Sequence, residues 1–116
     1  MTPTTDQTAT TLVPRFSLGQ IVATPAALDV LAEHGVSPQT ILRRHLSGDW
    51  GTLCSDDVAA NEAALTHGSR ILSSYEIALG VTVWVITDAE TDRDEAGNAL
   101  TPPQRLCTTI LRPEDY

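Results

Sequence analysis

The run Arg70-Ile-Leu-Ser-Ser-Tyr-Glu-Ile-Ala-Leu-Gly-Val-Thr-Val-Trp-Val-Ile-Thr87 decides the fold. From Arg70 to Ile77 the side chains alternate, with Ile71, Tyr75 and Ile77 on one face and Leu72, Ser74 and Glu76 on the other. That is the period of a strand. Leu79-Gly80 supplies a tight turn. Val81 to Thr87 is rich in β-branched residues, with Val81, Val83 and Val85 on one face and Trp84 and Ile86 on the other. Apolar on both sides, it reads as a central strand.

Working upstream, the period becomes helical and the punctuation regular. Thr24-Pro25 and Ser37-Pro38 each pair a hydroxyl N-cap with proline at the first helical position. Leu28, Leu31 and Ala32 form the apolar stripe of the first helix, which Gly35 stops. Ile41, Leu42 and Leu46 form that of the second, which Gly48 stops, with Arg43, Arg44 and His45 near its C-terminus where positive charge suits the dipole. Ser55 can cap a third helix, with Asp56 and Asp57 in its first turn, a thin apolar face of Val58, Ala59, Glu62 and Leu65, and Gly68 as its stop. Phe16 to Ala23 reads as a short edge strand, and residues 1–15, Thr-rich and polar, as a disordered lead-in.

Downstream, Asp88 to Gln104 interrupts the pattern as an acidic loop, after which Arg105 to Leu111 alternates again and Pro113 ends it. The expectation is one α+β domain over residues 16–116, with three N-terminal helices packed on a three- or four-stranded antiparallel sheet and an insertion at 88–104. At 116 residues with 41% apolar content the chain suffices for one core. Its aromatic residues are only Phe16, Trp50, Tyr75, Trp84 and Tyr116, so that core is mainly aliphatic.

Seven basic residues, all Arg, stand against 15 acidic ones, a net charge of −8. Such a field disfavours nucleic acid and suits a protein partner. Cys54 and Cys107 lack metal or redox spacing and read as reduced, largely buried thiols, hence a cytoplasmic protein. No apolar run is long enough to span a bilayer.

Several strings carry a resemblance. Gly19-Gln-Ile-Val-Ala-Thr-Pro-Ala-Ala-Leu28 and Arg44-His-Leu-Ser-Gly-Asp-Trp-Gly51 are the first two. Asn61-Glu62 with Gly68 and Tyr75, Trp84-Val-Ile-Thr87 and Thr108-Thr-Ile-Leu-Arg-Pro-Glu-Asp-Tyr116 complete the set. Together they resemble a widespread family of small bacterial proteins encoded on plasmids and integrative elements, often labelled plasmid-related protein or restriction-modification subunit. The resemblance implies a mobile-element setting and no particular activity. Family members pass from the Trp-bearing strand to the Thr-Thr strand by a short turn, where this chain has residues 88 to 104.

The candidate site residues fall in two groups. His45 and Asp49, four apart near a helix end, can pair as a general base and its orienting carboxylate, and Cys54 before a helix start can join them as a thiolate. Trp50, Tyr75, Trp84 and Tyr116 can form an aromatic binding patch. Arg70, Arg105 and Arg112 can gather on the sheet to hold phosphate. The acidic stretch gives no calcium-loop frame, since counting from Asp92 places Gly97 sixth but Pro103 twelfth. No metal or cofactor is expected. Three functions follow. The first is a non-enzymatic interaction module of a mobile element, in its specific form an anti-defence protein whose carboxylates imitate phosphates. The second is a small hydrolase or RelE-like ribonuclease using His45 and Asp49, an analogy of topology alone. The third is a purely structural subunit.

Overall fold

Thr24 and Ser37 hold extended backbone and accept hydrogen bonds from Ala27 N and Gln39 N respectively. Each thereby satisfies one of the amides that a helix start leaves unpaired. In the computed structural model, which describes residues 14–116, the elements run β1 (Gln20–Ala23), α1 (Pro25–Glu33), α2 (Pro38–Ser47), α3 (Ser55–His67), β2 (Ile71–Ala78), β3 (Val81–Thr87), β4 (Thr91–Arg93), β5 (Ala99–Gln104) and β6 (Cys107–Leu111). Gly48 and Gly68 end α2 and α3 in the left-handed conformation. The expected lead-in lies almost wholly outside the described residues, but Arg15 belongs to the domain: its N–H donates to Leu46 O.

The chain is α+β. The main sheet has the order β1-β6-β3-β2, and β3 is interior as its two apolar faces require. β2, β3 and β6 form an antiparallel meander. The sheet is nevertheless mixed and not wholly antiparallel, because β1 joins β6 in parallel, Gln20 opposite Cys107 through Ala23 opposite Ile110. The cause is connectivity: β1 is followed by three helices before the meander begins, so nothing reverses it locally. The stretch expected as an acidic loop is a second, two-stranded sheet of β4 and β5. Asp94 closes its turn, accepting from the amides of Ala96 and Asn98.

The helices cover one face. Ala27 and Leu31 of α1 and Ile41 of α2 pack on Tyr75, Val83, Val85 and Ile110. Trp50, Ala64 and Ile71 form a second cluster with Phe16, Leu53, Val58 and Leu65 against it. Two helical stripes differ from expectation. Leu28 is 45% exposed while Ala27 is buried. A nine-residue helix with apolar residues at 26, 27, 28, 30, 31 and 32 has two comparable stripes, and contact with β6 selects Ala27 and Leu31. In α3 the inward residues are Asn61 and Ala64, whereas Ala59 and Glu62 are exposed. The N-cap of α3 is Cys54, which makes no side-chain cap bond, with Ser55 already helical. Cys54 is therefore exposed, not buried, since the chain turns outward at the cap; Cys107 is half-buried, and both are free. No helix among the described residues is long and apolar enough to cross a membrane.

Candidate functional site

His45 and Asp49 leave α2 in different directions. The His45 ring is fully buried between α2 and the sheet. Its Nδ1 lies 2.6 Å from Ser73 Oγ and its Nε2 2.9 Å from Thr87 Oγ1. Thr87 Oγ1 is 2.7 Å from Thr108 Oγ1, and Thr108 donates to Leu18 O at 2.7 Å. That last bond orders all the protons. With its own hydrogen committed to a carbonyl, Thr108 must accept from Thr87, Thr87 must then accept from His45 Nε2–H, and Nδ1 accepts from Ser73. The hydroxyl chain thus fixes a proton on Nε2, and in the neutral ring Nδ1 accepts from Ser73 Oγ. Burial, and secondarily the charge of Arg105, push the His45 pKa down from 6.5 to about 3.

Asp49 takes no part in this. Its carboxylate is held by the Arg44 guanidinium at 2.7 and 3.3 Å and accepts from Gly51 N. The Arg44 bond holds the carboxyl below its ordinary pKa and raises that of Arg44. The expected His–Asp pair is thus absent, and exposed Cys54 does not complete a triad with buried His45. Asp49 instead shapes a clasp. Its carbonyl accepts from Tyr75 Oη at 2.6 Å, and the Arg44 guanidinium lies 4.5 Å above the Tyr75 ring. Burial pushes the Tyr75 phenol well above its ordinary pKa.

Trp50 is core as well. Its indole stacks on Phe16 and meets His45 edge-on, while Nε1 donates to Glu62 at 3.0 Å. Glu62 in turn pairs with Arg15, and these two bonds hold its carboxyl below the usual range. The loop then closes one edge of the sheet. Ser74 N donates to Trp50 O, and Thr52 N to Ser74 O. Gly51 sits so near that a Cβ would stand 1.9 Å from Ser74 O. Asn61 continues the seal by donating to Leu72 O and accepting from Leu72 N. The outward-facing backbone groups of Leu72 and Ser74 in β2 are consequently occupied. The His-Leu-Ser-Gly-Asp-Trp-Gly string is thus an edge clasp built around a buried histidine.

The remaining aromatic candidates separate by strand parity. Tyr75 lies on the helix face, while Trp84, opposite Ser74, lies on the other. Tyr116 meets Trp84 edge-on at 5.8 Å and is 69% exposed. Arg70 donates to Tyr116 Oη at 2.6 Å. Thr24 donates to Asp115 Oδ2 at 2.7 Å, fastening the terminal turn Pro113–Asp115 to the start of α1.

The arginines do not gather. Arg70 serves Tyr116, whereas Arg112 donates to Thr82 O and pairs with Glu114. Arg105 is buried, donating to Ser69 O, Asp88 O and Ala64 O, and burial lowers its pKa. Sequence reasoning missed Arg105 and Asn61 as ties. The one available signal was a polar residue at an inward helical or strand position. No group of His, Cys, Asp and Glu among the described residues is arranged to hold a metal. No family model matches the chain, and it matches no curated protein and no solved structure.

Proposed function

We propose that the chain is a non-enzymatic protein-interaction module and an accessory protein of a mobile genetic element. The observation that carries this is the Trp84–Tyr116–Arg70 group on the sheet face opposite the three α-helices. Trp, Tyr and Arg anchor protein interfaces because each offers broad apolar contact together with a directed polar group. Here the three are held against one another before any partner arrives, so little ordering is required on binding. In the specific form of the proposal, the partner is a host nuclease or restriction complex, and the carboxylates of the β4–β5 unit stand in for phosphates.

The hydrolase or ribonuclease reading finds less support, because both ring nitrogens of His45 are engaged by hydroxyls inside the fold. The test is affinity capture from a host lysate with wild-type protein and with Tyr116→Ala and Arg70→Ala. A reproducible partner, lost in both variants at unchanged melting temperature, supports the reading. Failure to capture any reproducible partner counts against it.

A further inference from the structure

The two edges of the main sheet are finished differently. In β2 the outward groups of Leu72 and Ser74 are taken up by Trp50, Thr52 and Asn61, as described above. At the other edge Gln20 N donates to Leu106 O, and Thr24 N to Ile110 O, both at 2.9 Å. Because backbone groups alternate along a strand, Gln20, Val22 and Thr24 face β6, and Ile21 and Ala23 direct N–H and C=O the other way. Among the described residues no strand pairs with that side. Ile21 is 48% exposed and Val22 40%, one on each face of the edge. An added strand would cover both.

Carboxylates bracket this edge. At its start a pocket of about 330 Å³ lies between Gln20, Leu106 and the turn residues Asp94, Glu95 and Ala96. At its end Asp115 is bonded to Thr24. This charge distribution selects the occupant. A second copy pairing antiparallel would set the Asp94–Glu95 turn of one molecule against Asp115 of the other. An extended segment with an apolar middle and a basic residue at each end meets complementary charge at both ends.

We infer that β1 is a docking edge for an extended, basic-flanked segment of a partner protein, which adds a fifth strand to the sheet. The inference rests on the interaction-module reading and specifies a surface other than the Trp84–Tyr116 face.

The test uses the full chain, labelled with nitrogen-15, and the blocked peptide Arg-Val-Thr-Val-Thr-Val-Arg. The expected result is amide shifts confined to residues 20–24, 94–96 and 115, and binding about tenfold tighter than for the same peptide with Glu in place of Arg. That difference closes at high salt. Ile21→Pro removes an outward donor and none of the bonds to β6, so it abolishes the shifts. Should that variant fail to fold, the peptide N-methylated at alternate residues, titrated into wild-type protein, gives the same loss. Shifts centred on Trp84 and Tyr116 with β1 unmoved would overturn the edge site and leave the interaction reading standing. Absence of shifts with every peptide would overturn the edge site as well. A concentration-dependent dimer abolished by Ile21→Pro would overturn the basic partner in favour of a second copy.

Discussion

Acidification should destabilise this protein through His45 before its carboxylates matter. The ring is buried and neutral, with a pKa pushed down to about 3 from an ordinary 6.5. The unfolded chain therefore binds a proton that the folded one refuses, so stability rises with pH across this interval. The contribution is complete above the unfolded pKa and is lost progressively as the pH falls from about 6.5 towards about 3. Between pH 7 and pH 5 the loss is about 2 kcal/mol, at 1.36 kcal/mol for each unit below the unfolded pKa. The depressed carboxyls of Asp49, Glu62, Asp94 and Asp115 remain ionised in that window and contribute only at lower pH. Urea unfolding at pH 7 and pH 5 measures the difference, with His45→Gln as reference. The variant is less stable at both pH values but lacks this drop, and His34 and His67 are common to both proteins. The His45 ring resonances of the folded protein provide a check independent of the variant's folding. Equal losses in the two proteins, or a ring that titrates near 6.5 in the fold, would refute the buried neutral histidine.

Gly51→Ala places a methyl group against the Ser74 carbonyl, which cannot yield as a side chain would; a loss of roughly 2–3 kcal/mol in chemical denaturation is expected. Asn61→Ala leaves both the N–H and the C=O of Leu72 without their partner. The cost is about 2–4 kcal/mol, with faster hydrogen exchange at the Leu72 amide. Arg105→Lys retains the charge but not the fork that reaches Ser69, Asp88 and Ala64 together. It should lower stability by about 2 kcal/mol and, in a thermal melt, should not be rescued by salt.

Much of the architecture was legible because it follows from local chemistry. Thr24-Pro25 and Ser37-Pro38 place helix starts wherever the chain goes, and the alternation from Ile71 to Thr87 yields strands whose parity already separates Val83 and Val85 from Trp84. The parity also held Tyr75 apart from Trp84, yet the aromatic patch was expected to include both, since residue type was weighed above facing. The phase of α1 was not legible. Ala27 and Leu28 differ little in what a short helix gains by burying either, and only contact with β6 chooses.

The composition and order of the residues by themselves determined three helices, the first two opened by a hydroxyl cap, followed by a meander, because propensity, capping and period act over a few residues at a time. Tertiary structure alone decided that β1 runs parallel to β6, that Asp88 to Gln104 contains a hairpin, and that His45 turns away from Asp49 to join Ser73, Thr87 and Thr108. Those partners lie 28 or more positions from His45 along the chain. A polar side chain's choice between water, a neighbour and a distant hydroxyl depends on what the completed sheet places beside it.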